Sequence, residues 1–184
     1  MDITKLKKAF QSFKKKKILV IGDVMLDQYT FGVVERISPE APIPVLKKIK
    51  EKAVPGGASN VANNLVALGA KAVLCGSIGK DEQGKQFLAL LKEKGIDTKA
   101  MLINPDQLTT TKHRIVSNNQ QMIRLDQESA IHLTTQQERK VLKQLEKSIG
   151  SCDAVIFSDY AKGFFSKSLA KKIITLAKKH KKQI

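Results

Sequence analysis

Three short apolar runs, each closing on a glycine or aspartate, constrain this chain most. They are KILVIGD at 17–23, KAVLCGSIG at 71–79 and DAVIFSD at 153–159. Such runs are too short for helices and too uniformly apolar for a strand with one wet face, so they read as strands buried on both sides. Helical patterns stand between and after them. Buried strands alternating with amphipathic helices predict an α/β fold with a doubly wound, mostly parallel sheet. No run approaches the roughly 18 apolar residues of a membrane span. The first 17 residues lack the apolar core of a signal peptide. A cytoplasmic protein with no membrane partner is expected.

Local signals place the other elements. Ile3, Leu6, Ala9, Phe10 and Phe13 stand at helical spacing. A helix from about Ala58 to Leu68 is stopped by Gly69, and Asp81 caps another that runs to about Lys94 and Gly95. IDTKAMLI at 96–103 is a shorter strand candidate. Thr134 or Thr135 opens the next helix with Glu138 placed for a capping box, and Ser166 caps a last helix reaching about His180. Two polar stretches do not fit the buried sheet. Residues 29–53 alternate loosely and hold Pro39, Pro42 and Pro44, which predicts edge segments rather than central strands. Residues 109–125 read as a β-hairpin turning near Ser117-Asn118-Asn119. Together they predict a separate small β element covering one edge.

The net charge of +16 raises a nucleic-acid reading. Its distribution argues against a specific one. Residues 1–17 carry +6 and residues 167–184 carry +7, while the middle is nearly balanced. No aromatic-rich RNA platform or zinc-finger spacing accompanies the lysines. Solvated helix faces and a basic leader are expected, with weak polyanion binding at most. Cys75 and Cys152 have neither metal-ligand nor CxxC spacing and read as reduced core residues.

Four constellations could carry chemistry, and two of them, GDVMLD and SDYAKG, stand beyond the carboxyl ends of strands, where open α/β sheets bind ligands. In GDVMLD, Asp23 reads as a turn cap and Asp27 as a carboxylate able to accept hydrogen bonds from neighbouring hydroxyls. In VPGGASN, Gly56 and Gly57 open a helix with Asn60 in its first turn. Read for function, the glycines let backbone approach a ligand and Asn60 adds a donor and an acceptor; read blandly, this is a loop-to-helix junction. In SDYAKG, Asp159 and Lys162 either pair or face a phosphorylated substrate. In NNQQMIRLD, Arg124 and Asp126 lie on the polar hairpin, which is either a solvated turn or a polar recognition surface.

PGGASNVANNLVALGA, followed by GSIGKDEQG, resembles the signature of the ribokinase-like (PfkB) carbohydrate kinases. GDVMLDQYTFGVVERISPEAPIPVLK, NNQQMIRLDQE and SDYAKG are similar to the heptose-7-phosphate kinases of lipopolysaccharide precursor synthesis, in which the kinase is often joined to an adenylyltransferase. The resemblance extends from about Lys17 to residue 184. It implies a ribokinase-like fold, with residues 1–184 as the N-terminal portion of one kinase domain and a β lid at about 29–53 and 109–125. It implies transfer of a phosphoryl group from ATP, with Mg²⁺, to the anomeric hydroxyl of a sugar phosphate, and a homodimer formed through the lid. By the same resemblance Asp27 binds sugar hydroxyls, and Gly56, Gly57 and Asn60 line the sugar pocket. Arg124 and Lys162 are candidates for the 7-phosphate, and Asp159 for the metal–phosphate region. The family's GAGD motif, with its catalytic base, is not in these 184 residues. No residue here is therefore expected to be catalytic or to ligate metal directly, and this stretch alone is expected to carry the sugar-binding half and to be inactive. Two other readings stay open: a kinase for another sugar, and a non-catalytic sugar-binding portion needing a separate C-terminal half.

Overall fold

The computed structural model describes residues 3–129 and 132–184. Three strands form the predicted parallel sheet in the order β4-β1-β9: β1 (Lys17–Gly22), β4 (Lys71–Cys75) and β9 (Ala154–Ser158). Period-two alternation sends β1 side chains to two cores. Leu19 and Ile21 pack with Val141, Leu145 and Ile149 of α4 (Thr135–Ile149) and with Leu169 and Ile173 of α5 (Lys167–Lys179). Ile18 and Val20 pack on the other face with Ala62 and Leu65 of α2 (Ala58–Ala67) and with Phe87 and Leu91 of α3 (Glu82–Glu93). The sheet is thus covered on both faces, as the apolar runs require. Cys75 and Cys152 are free and buried, and burial raises both thiols above their ordinary range.

The polar stretches build a second sheet, in the order β3-β2-β7-β8. β2 (Val24–Ile37) pairs antiparallel with β3 (Pro44–Gly57) and parallel with β7 (Thr111–Ser117), which pairs antiparallel with β8 (Gln120–Gln127). This corrects the edge-segment expectation for 29–53, because β2 is an interior strand. Its prolines do not interrupt it: Pro39 and Pro42 sit in the connection to β3, Pro44 starts β3, and of these two strands β3 is the edge. The β7–β8 turn uses Asn118 and Asn119, both at positive φ (49° and 64°), a conformation that asparagine tolerates in tight hairpins. The sheet also extends closer to the core than expected, since β2 begins two residues after β1 ends.

Two further expectations change. The strand at 96–103 shrinks to β6 (Leu102–Asn104), paired with β5 (Ser77–Gly79), because Asp97 spends its backbone groups bridging to β4. The capping box of α4 joins Thr134 to Gln137, while Glu138 accepts from the Ser166 hydroxyl at 2.5 Å and so links α4 to the start of α5. The helix α1 (Ile3–Phe13) forms as expected, although the side chains of Leu6 and Ala9 lie outside the described residues. Among the described residues no helix is long and apolar enough to cross a membrane.

Candidate functional site

The site is organised from the one-residue gap between β1 and β2. Asp23, only 4% exposed, fills it. Its Oδ2 accepts the backbone N–H groups of Tyr160 (2.8 Å) and Lys162 (3.1 Å), and its Oδ1 accepts that of Phe164 (3.1 Å). Its carbonyl accepts from Ala58 N–H at 2.8 Å, at the start of α2. Asp23 therefore ties the loop after β9 and the opening of α2 to the carboxyl end of β1. This is the turn-capping role expected of it, on a larger scale. A buried carboxylate is tolerable because it is so fully hydrogen-bonded.

Four residues on, Asp27 lies on one face of the second sheet. Its Oδ1 accepts from the Arg114 guanidinium at 2.7 Å, and that guanidinium also lies 5.4 Å from the centre of the Tyr29 ring. A Cβ at Gly56 would collide with the Asp27 carboxylate. Gly57 caps α2 at φ 57°, and a Cβ there would strike the Asp23 carbonyl. The two glycines thus seat the two aspartates. Asn60 is exposed in the first turn of α2, and the buried Ser59 hydroxyl donates to the Gly56 carbonyl at 2.6 Å.

Cross-strand register builds the rest of this face. Asp27 stands opposite Lys112, which stands opposite Asp126; in the next row Tyr29, Arg114 and Arg124 stand opposite one another. Lys112 donates to Asp126 (2.9 Å) and Glu128 (2.8 Å), Arg124 Nε donates to Asp126 (2.8 Å), and Lys162 donates to Glu128 (2.7 Å). Four cations, Lys112, Arg114, Arg124 and Lys162, therefore face three carboxylates, Asp27, Asp126 and Glu128. The Lys112 ammonium, then the Arg124 guanidinium, hold Asp126 below the usual carboxylate range. Lys112 and then Lys162 do the same for Glu128, while Glu128 in turn raises Lys112. The Asp27 hydrogen bond raises Arg114.

The expected site residues are not all brought together. Asp27, Gly56 and Arg124 share this face of the second sheet or its margin, and Lys162 is joined to it through Glu128. Asp159 and Lys162 do not pair with each other, because Asp159 is exposed and accepts from Ala161 N–H at 2.8 Å within its own loop. Arg114, Lys112 and Glu128 were missed by sequence reasoning. Their signal is a period-two spacing of charge, Lys112-x-Arg114 against Arg124-x-Asp126-x-Glu128, across a hairpin. Among the described residues no three or more His, Cys, Asp and Glu side chains converge to hold a metal ion.

The family model described as pfkB family carbohydrate kinase matches residues 15–184. The bifunctional protein HldE of Helicobacter pylori is 49% identical over 169 residues, covering 92% of this chain and 36% of that protein. HldE of Wolinella succinogenes is 40% identical over 167 residues, covering 91% and 35%. The chain thus spans about a third of the length of these curated relatives. Among solved structures, a carbohydrate kinase from Agrobacterium tumefaciens superimposes with a TM-score of 0.68 at 21% identity, covering 91% of this chain and 52% of that one. Phosphofructokinase-2 from Escherichia coli, in complex with substrates and products, gives 0.63 at 19%, covering 90% and 51%. These two likenesses establish the ribokinase-like fold, over about half of each kinase.

Proposed function

This chain belongs to the pfkB family of carbohydrate kinases, and from that premise we propose that the protein transfers the γ-phosphoryl group of ATP to the anomeric hydroxyl of D-glycero-D-manno-heptose 7-phosphate. The product is the 1,7-bisphosphate, a precursor of ADP-heptose and the lipopolysaccharide core. Residues 1–184 are read as the N-terminal portion of one kinase domain. The lid is assigned to 24–57 and 111–127, the first segment longer than expected and the second shifted by two residues. The observation that carries this reading is the lid face itself: the Asp27 carboxylate bonded to the Arg114 guanidinium, among further cations that include Arg124 and Lys112. Such a face suits a ligand that offers both hydroxyls and an anion.

In this reading Asp27 accepts hydrogen bonds from sugar hydroxyls. Gly56 and Gly57 keep the neighbouring backbone free of side chains, and Asn60 projects from the first turn of α2 to read a further hydroxyl. Arg124 and Lys162 are the positive groups for the 7-phosphate, and Asp159 stands at the metal–phosphate end. ATP would supply the phosphoryl group, with Mg²⁺ neutralising its phosphates. The lid also supports a homodimer: Ile123 and Leu125, each 53% exposed on the face opposite Asp27, present apolar side chains on β8, an edge strand of the sheet. The setting is cytoplasmic, where ATP is available.

A thermal-shift panel with this chain tests the substrate. D-glycero-D-manno-heptose 7-phosphate should raise Tm at concentrations where ribose and fructose 6-phosphate do not. At 100-fold excess over Kd the gain is about 2.7 kcal/mol. A larger shift with another sugar would replace the proposed substrate. Ordinary turnover of ATP to heptose bisphosphate by this chain would contradict the assignment of these residues to sugar recognition alone.

A further inference from the structure

We infer that Arg114, with Arg124 directly across the β7–β8 ladder, forms the clamp that grips the substrate's terminal phosphomonoester. This deepens the proposed function and rests on it. The two arginines occupy one cross-strand pair of the lid face. Like charges placed directly opposite are unfavourable unless an anion offsets them. Each has a carboxylate on one side only: Arg124 uses Nε toward Asp126, and Arg114 uses one terminal nitrogen toward Asp27. Both guanidinium groups therefore keep terminal N–H donors for a tetrahedral dianion, and forked planar donors suit phosphate better than an ammonium does. The Tyr29 ring, 5.4 Å from the Arg114 guanidinium carbon, adds a cation–π contact that helps to hold it.

The other two cations are lysines, without a forked donor. Lys112 sits between Asp126 and Glu128, and Lys162 is drawn to Glu128 at 2.7 Å, where it ties the loop after β9 to the lid. The arginine row is two residues along the strands from Asp27, about 7 Å at ordinary strand rise. That separation lets one ligand present its hydroxyls to Asp27 and a phosphate several carbons away to the arginines. Arg114 thus has two jobs, holding Asp27 in place and reading the phosphate.

The test is the ratio of affinities for D-glycero-D-manno-heptose 7-phosphate and unphosphorylated D-glycero-D-manno-heptose, measured by calorimetry on this chain and its variants. Wild type should prefer the phosphorylated sugar. Arg124→Gln should cut that preference roughly tenfold to a hundredfold, the range for a charged hydrogen bond, and leave affinity for the plain sugar unchanged. Arg114→Lys, which keeps the charge beside Asp27, should cut the preference while retaining the plain sugar. Arg114→Gln should weaken both. A role limited to supporting the fold would shift both sugars together in every variant. Unchanged preference in Arg124→Gln and Arg114→Lys, with both sugars still bound, would overturn the clamp and leave the substrate assignment standing. Failure of wild type to bind either sugar would overturn both.

Discussion

Replacing Asp23 by alanine removes the carboxylate that joins the end of β1 to the loop after β9 and leaves the bond from Ala58 N–H to its backbone carbonyl in place. Three backbone N–H groups, those of Tyr160, Lys162 and Phe164, lose their acceptor in a place that is only 4% exposed at Asp23. A hydrogen bond to a charged group is worth about 1.5–3 kcal/mol. Water entering the vacated space recovers part of this, so the expected loss for Asp23→Ala is about 3–5 kcal/mol. That is a large share of the roughly 5–15 kcal/mol that holds an ordinary domain. Asp23→Asn keeps one acceptor oxygen. Oriented so that this oxygen replaces Oδ2, it retains the Tyr160 and Lys162 bonds and turns its amide toward Phe164, for an expected loss of about 1–3 kcal/mol. Urea unfolding followed by circular dichroism measures both. The reasoning fails if Asp23→Ala lies within about 0.5 kcal/mol of wild type, or if the asparagine variant is the less stable of the two.

Two further outcomes follow from the same geometry. Gly56→Ala places a methyl group where the Asp27 carboxylate lies, so it should cost about 1–3 kcal/mol in overpacking and weaken sugar binding more than Asn60→Ala does; equal affinity to wild type would show that the glycine is incidental. Asp126 and Glu128 are depressed by their lysine and arginine partners, so the stability they contribute is complete above about pH 4.3 and falls as pH drops through their lower folded values. Tm should therefore decline below about pH 4, less steeply in Glu128→Gln, and a Tm that rises on acidification would contradict the ion-pair network.

The central sheet was legible because its apolar runs have only one satisfactory burial, between two layers of helices. The helix ends were legible where one side chain decides them, as Asp81 and Ser166 do by accepting from Gly84 and Leu169 N–H groups. The second sheet was legible as β structure but not as pairing. Its prolines pointed to edges, whereas Pro39 and Pro42 fall in a connection and leave β2 interior. The Arg114–Arg124 pairing was hidden by a register shift between Ile115 and Val116. Counting outward from the Asn118-Asn119 turn without that bulge puts Ile123 opposite Arg114 and sends Arg124 to the other face. The Gly56-Gly57 pair drew attention as backbone meant for a ligand. Its nearest demands are internal, the Asp27 carboxylate and the Asp23 carbonyl, a close approach that spacing cannot reveal.

The most direct test is a calorimetric titration of the purified chain with D-glycero-D-manno-heptose 7-phosphate, repeated on Asp27→Ala. The account predicts saturable binding by wild type, lost in a variant that keeps the wild-type circular dichroism spectrum. No binding by folded wild type, or equal binding by Asp27→Ala, would contradict the assignment of this lid face to sugar recognition.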